Sequence, residues 1–190
     1  MRRNLLYAAP MSKSRTPRPL SSSSVEAVAL HYLQRFSASA ESLRRVLMRR
    51  VERAVRLDGD DGAQGAAMVD ALIARYLQSG LLDDRRFAEA KGRSLYRQGG
   101  STRAIRQRLA AKGVATETIE AALDDLRQAE ESTSDELDFA AAVALARRRR
   151  LGPYRPDGQR LSTRNGDLAA LGRAGFSWEI ARRVIDGDAG

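Results

Sequence analysis

Apolar residues recur along this chain with the period of an α-helix, and glycines interrupt the pattern at intervals. Val25, Val28, Ala29, Tyr32, Leu33 and Phe36 form a first stripe. Leu43, Val46, Leu47, Val51, Ala54 and Val55 form a second, with Arg44, Arg45, Arg49, Arg50, Arg53 and Arg56 mostly off it. A third, Val69, Leu72, Ile73, Tyr76 and Leu77, ends at Gly80. The pattern is clearest over residues 80–123, where it predicts three short helices. Leu81 and Leu82 are apolar anchors, and Asp83 and Asp84 offer carboxylates to the free N–H groups of a helix start. Phe87 and Leu95 share one side of that helix, and Gly99-Gly100 stops it. Ser101 is placed to cap the next helix, which carries Ile105 and Leu109 and closes at Lys112-Gly113 with a cation and a left-handed glycine. Ile119, Ala122, Leu123 and Leu126 define the third. None of these helices is long enough to be stable alone, so they must fold as one packed unit.

Beyond Leu123 a further helix is expected to carry Phe139, Val143 and Ala146 and to end in Arg147 to Arg150. Gly152, Pro153, Pro156, Gly158 and Gly166 predict a loop over 151–166. The chain closes with Leu168, Leu171, Gly175, Phe176, Ala181 and Ile185, and here an internal repeat emerges. Leu109-x-x-x-Gly113-Val114 matches Leu171-x-x-x-Gly175-Phe176, and Ile119 and Leu123 match Ala181 and Ile185 at the same offsets. The expectation is an all-α protein of tandem three-helix repeats stacked into an elongated, curved body. A basic tail (1–24) precedes a modified first repeat (25–79), whose acidic loop 58–66 (DGDDGAQGA) stands where a glycine joint is expected. The most regular repeat spans 80–131, and a third spans 132–190 with the irregular loop 151–166.

Composition narrows the chemistry. The 190 residues include no cysteine, which excludes disulfides and thiolate metal sites. No apolar run approaches the roughly 20 residues that span a bilayer, so a cytoplasmic protein is expected. Cations exceed anions, 33 to 24, for a net charge of +9, which points to a polyanion or an acidic protein surface as partner. The tail carries Arg2, Arg3, Lys13, Arg15 and Arg18 with no acid and reads as disordered. Charge then alternates by block: residues 25–57, 85–123 and 139–190 are net basic, and 58–84 and 124–138 are net acidic. Acidic blocks repel phosphates, so the alternation suits a partner that itself displays both signs. The plainer alternative is a set of solvated faces with local ion pairs.

Catalytic machinery is missing. His31 is the single histidine and falls on a helix between stripe positions. Asp83 and Asp84 read as a cap rather than an acid–base pair. No GxxxxGK[ST] phosphate loop occurs, and DGDDG lacks the ligand spacing of a calcium loop. Neither an enzyme, a metal site nor a cofactor is expected.

Leu82-Asp83-Asp84-x-x-Phe87-Ala88, Arg97-x-Gly99, Ile105-x-x-x-Leu109-x-x-Lys112-Gly113 and Ile119-x-x-x-Leu123 together resemble the RecX family, small bacterial modulators of the RecA recombinase. Ala29-Leu30-x-Tyr32-Leu33 and Gly175-Phe176-Ser177 support the likeness, which covers roughly residues 25–186. The resemblance implies a non-enzymatic protein that binds in the helical groove of RecA–DNA filaments. There it would inhibit RecA's ATPase, strand-exchange and co-protease functions in DNA repair and the SOS response. Two departures stand out: the first repeat lacks the Lys-Gly turn, and the third carries a Pro- and Gly-containing loop. On this reading Arg85, Arg86, Arg93, Arg97, Arg103, Arg106, Arg108 and Lys112 face acidic recombinase surface or DNA phosphate. Leu82, Asp83, Asp84, Phe87, Gly99, Ile105, Leu109, Gly113, Ile119, Gly175 and Phe176 are structural. The expected state is a monomer, with nonspecific single- or double-stranded DNA as an accessory ligand. The alternative is a DNA-binding helix-turn-helix protein with Arg103, Arg106, Arg108 and Lys112 on its recognition helix. It lacks the side-chain pattern that reads base edges, and acidic blocks flank it.

Overall fold

The computed structural model describes residues 20–59, 61–156 and 160–187, and the regular structure among them is helical. In chain order the helices are α1 (Ser22–Leu33), α2 (Ala40–Asp58), α3 (Gly62–Gln78), α4 (Asp84–Arg97), α5 (Thr102–Ala110), α6 (Thr116–Ala129), α7 (Ser134–Arg149), α8 (Arg160–Arg173) and α9 (Trp178–Asp186). A 3-10 turn at Gly152–Tyr154 lies between α7 and α8.

Every third helix starts a new core. Val25, Leu43, Leu47, Val51, Val69, Leu72 and Tyr76 are buried together from α1, α2 and α3. Phe87, Leu95, Ile105, Leu109, Ile119 and Leu123 are buried among α4, α5 and α6. Ala142, Leu145, Leu171, Phe176, Ile180 and Ile185 form the core of α7, α8 and α9. Within the repeats α2 packs on α3, α4 on α6 and α7 on α9. The three units follow one another as an elongated body. The first two cores each also take a residue from the repeat that follows, Leu82 in the first and Leu137 of α7 in the second.

The repeat motif closes the same way twice. The Val114 N–H donates to Leu109 O at 3.2 Å, and the Phe176 N–H donates to Leu171 O at 3.3 Å. The glycine before each donor of this turn lies in the left-handed region, at φ +76 for Gly113 and +95 for Gly175. Leu109, Val114, Ile119 and Leu123 are buried, as are Leu171, Phe176, Ala181 and Ile185.

Several local expectations change. Helix α1 starts at Ser22, capped by Ser21 in a reciprocal pair of bonds with Ser24, so residues 20–24 belong to the first repeat. The tail proper, residues 1–19, lies outside the described residues. The acidic stretch is a short joint rather than a loop over 58–66. Gly59, at φ +69, supplies the left-handed stop that the first repeat was expected to have lost, and Asp61 caps α3 by accepting the Ala63 N–H at 2.8 Å. Gly65 is inside α3, where a Cβ would come within 2.5 Å of Val51, so it permits close helix packing instead of breaking the helix.

In the third repeat α8 runs from Arg160 through Gly166, which shortens the predicted loop. On α7 the buried stripe is Leu137, Ala141, Ala142, Leu145 and Ala146. Phe139 and Val143 are only partly buried, since small alanines rather than larger neighbours face the core. Leu81 is 52% exposed and does not anchor α4, whereas Leu82 is buried.

Candidate functional site

The surfaces a partner can meet are set by how one repeat joins the next. Ser39 caps α2 by accepting the Ser42 N–H at 3.2 Å, and its hydroxyl donates to Lys112 O beyond the end of α5. Arg45 Nη1 donates to Ala111 O at 2.8 Å, and the Ala40 N–H donates to the Asp84 carboxylate at 2.8 Å. The second joint repeats this chemistry. Ser101 accepts the Ala104 N–H at 3.1 Å and donates to Ala174 O at 2.9 Å, while the Thr102 N–H donates to Asp138 at 2.7 Å. At each joint the first N–H groups of one helix and the last carbonyls of another, otherwise orphaned, find partners. The positive end of one helix also faces the negative end of the next. The two adjacent carboxylates thus divide their work: Asp83 caps α4 by accepting the Arg86 N–H at 2.9 Å, and Asp84 crosses to the first repeat. Burial raises the Asp138 carboxyl above its usual range, and the two bonds from Thr102 pull it back.

The predicted cations fall into two groups. Arg85 bonds Glu89 at 3.0 Å and Asp125 at 2.9 Å, and Arg93 approaches Glu89 at 3.9 Å. Arg106 grips Glu120 with both arms of its guanidinium at 2.6 and 3.0 Å. That pair holds the Glu120 carboxyl below the usual range against the effect of burial. Arg86, with a side chain 83% exposed, pairs among the described residues with Asp83, its neighbour on the same turn, at 3.3 Å. Arg97, Arg103, Arg108 and Lys112 are exposed, and their side chains have no ion-pair partner among the described residues. Of the predicted cations, Arg86, Arg97, Arg103, Arg108 and Lys112 thus face outward without a partner from another helix among the described residues. Arg85 and Arg106 instead tie α4 and α5 to α6.

Leu82, Phe87, Ile105, Leu109, Ile119 and Phe176 are buried. Gly99, at φ +74, presses against α7, where a Cβ would come within 2.9 Å of the Leu145 nitrogen.

One surface escaped the sequence reading. A shallow groove of about 370 Å³ between the first and second repeats is lined by Tyr32, Arg35, Phe36, Phe87, Lys91 and Lys112, among others. Phe36 was placed in a core stripe, yet it lies beyond the end of α1, 55% exposed, with its ring 5.1 Å from that of Tyr32. The missed signal is the helix end itself, since a stripe cannot bury a residue past the last turn. Among the described residues no group of histidines, cysteines and carboxylates is arranged to hold a metal ion, and no helix is long and apolar enough to cross a membrane.

Comparison with known proteins agrees with this geometry. A family model described as the second three-helix domain of RecX matches residues 83–123. The regulatory protein RecX of Myxococcus xanthus is 43% identical over 171 residues, covering 90% of this chain and 88% of that protein. Its counterpart in Agrobacterium fabrum is 34% identical over 160 residues, covering 83% and 79%. The crystal structure of RecX from Lactobacillus salivarius shares the fold, with a TM-score of 0.58, 22% identity and coverage of 87% of this chain and 95% of that one.

Proposed function

This chain belongs to the RecX family of regulatory proteins, and on that footing we propose that it binds the RecA recombinase on DNA and restrains it. Its elongated body lies along the filament groove as a monomer and bridges neighbouring recombinase subunits. Occupation of the groove lowers ATPase, strand-exchange and co-protease activity without any chemistry by the regulator itself.

The observation that carries the reading is the set of outward cations on the second repeat. Arg97, Arg103, Arg108 and Lys112 sit on the unit matched by the family model, with no internal ion-pair partner among the described residues. Exposed guanidiniums left without carboxylates suit acidic protein surface or phosphate. Contact with single- or double-stranded DNA is nonspecific in this scheme. The helix-turn-helix alternative is weakened, because Arg106, one of its few candidate base readers, is closed on Glu120.

The test is a charge reversal that spares the fold. Arg97→Glu with Arg103→Glu should abolish inhibition of DNA-stimulated RecA ATPase while leaving helicity and thermal unfolding unchanged. Full inhibition by that folded variant would remove the second repeat from the contact.

A further inference from the structure

The joint between the second and third repeats opens onto a groove of about 430 Å³. Four arginines line it: Arg108 from α5, Arg148 and Arg149 from α7, and Arg173 from α8. Gln98 and Gln107 add two side-chain amides, and no carboxylate is among the lining residues. None of the four guanidiniums has an ion-pair or hydrogen-bond partner among the described residues. Arg44, Arg75, Arg85, Arg106, Arg127 and Arg164 elsewhere each pair with an acid, whereas these four guanidiniums share one hollow without one.

A bland explanation is available for each arginine singly. Arg108, Arg148, Arg149 and Arg173 all lie in the last turn of a helix, where a cation complements the macrodipole. It does not account for their convergence. Three C-terminal helix ends (α4, α7 and α8) at about −0.5 each bring roughly −1.5 to the groove, the α5 N-terminus capped by Ser101 offsets about +0.5 of that, and four full positive charges stand against the remainder. The hollow keeps a strong positive field that nothing in its lining cancels, and such a field concentrates anions.

We propose that this groove is a binding site for linked phosphates. Arginine forks match phosphate oxygens two at a time, and the flanking glutamine amides can complete the bonding. Four forks exceed what one phosphate can occupy, so a chain of two or more fits better than a single anion. The volume falls within the range of roughly 300–1,000 Å³ usual for small-ligand sites. Because Arg108 comes from the second repeat and the other three from the third, the occupant ties the two together across the Ser101–Ala174 and Thr102–Asp138 bonds. Arg108 is shared with the proposed recombinase-facing set, but the site requires no recombinase, so binding measured on the chain alone distinguishes the two readings.

The experiment uses the full chain alone, with three probes: sodium tripolyphosphate, a short oligothymidylate and citrate as a carboxylate control. Binding is read by calorimetry and by the shift in thermal unfolding. Tripolyphosphate or oligothymidylate should bind and raise the unfolding temperature, and citrate should do so far more weakly. Oligothymidylate alone would identify the phosphates as those of a strand, and tripolyphosphate binding would identify a free polyphosphate as sufficient. Arg148→Glu with Arg173→Glu should weaken binding about tenfold or more, since each charge-assisted bond lost is worth about a factor of ten. The milder Arg148→Gln with Arg173→Gln guards against a folding defect and should show a loss in the same direction. Equal binding of citrate, absence of binding by both phosphate probes, or unchanged binding in both double variants would overturn the proposal.

Discussion

Asp84, the first residue of α4, and Asp138, the fifth of α7, do the same work in successive repeats, each accepting the first N–H of the preceding repeat's second helix, from Ala40 at 2.8 Å and from Thr102 at 2.7 Å. The arrangement turns a sequence repeat into a mechanical one. Each unit is pinned to the next by a carboxylate on one helix and a serine hydroxyl on another, so their relative orientation depends on a few bonds.

Removing either carboxylate should loosen its joint. Asp84→Ala and Asp138→Ala leave part-buried N–H groups without partners, at a cost of about 1–3 kcal/mol each. Chemical denaturation measures the loss, and hydrogen exchange should accelerate at the Ala40 amide in the first variant and at the Thr102 amide in the second.

The glycine joints differ in a way that substitution exposes. A Cβ on Gly59 would meet nothing within 4 Å, whereas one on Gly113 would come within 2.4 Å of Glu41 Cβ and 2.3 Å of its Cγ. Both residues are left-handed, so Gly59→Ala should cost about 1–2 kcal/mol from backbone strain alone. Gly113→Ala should cost clearly more, because the Glu41 Cβ is fixed by α2 and the first joint must shift. Equal unfolding midpoints for the two variants would contradict the packing described.

A buried ion pair makes the third repeat acid-sensitive. Asp167, 2% exposed, accepts both arms of Arg155 at 2.8 and 2.7 Å and the Gly152 N–H at 2.8 Å. The hydrogen bonds of Arg155, with help from Gly152, hold its carboxyl below the usual range against burial. A carboxylate with a lowered pKa in the folded state contributes stability that is present above its unfolded value of about 3.9 and declines as pH falls through and below it. Thermal unfolding of the wild type should therefore weaken steeply on acidification. Asp167→Asn should flatten that acid limb and lower stability at neutral pH by about 3 kcal/mol, the lower end for breaking a buried pair.

The leucine of the repeat motif gives a plain measure of the core. Leu109 is fully buried in the second repeat, so Leu109→Ala should cost about 2–5 kcal/mol in denaturant unfolding.

Much of the fold was legible because its signals are local. Gly99, Gly113 and Gly175 mark left-handed turns, Ser101 and Asp83 mark helix starts, and the Leu109 and Leu171 motifs expose the repeat. Other features depended on partners distant in the chain. The crossing of Asp84 to Ala40 looks like half of a cap until the first repeat is placed beside it. Arg155 and Asp167 sit in and after a stretch whose prolines and glycines read as loop, and their pairing has no periodic signature. Arginine counts also misled, because net charge does not separate Arg106, closed on Glu120, from Arg103, which has no such partner among the described residues. Gly65 stands in a glycine-rich acidic run that looks like a helix breaker, yet its lack of a side chain serves helix packing.

The central claim is that this RecX-family chain restrains RecA through the outward cations of its second repeat. The most direct measurement is a titration of DNA-stimulated RecA ATPase and filament length with the wild type, Arg97→Glu/Arg103→Glu, and Arg106→Gln as a stability control. The account predicts inhibition by the wild type well below one regulator per recombinase and none by the charge-reversed protein, whose melting is unchanged. Arg106→Gln should inhibit while losing up to about 1 kcal/mol of stability. Wild-type protein that leaves ATPase and filament length untouched at equimolar ratio would contradict the functional reading, and full inhibition by the folded charge-reversed variant would contradict the surface assigned to it.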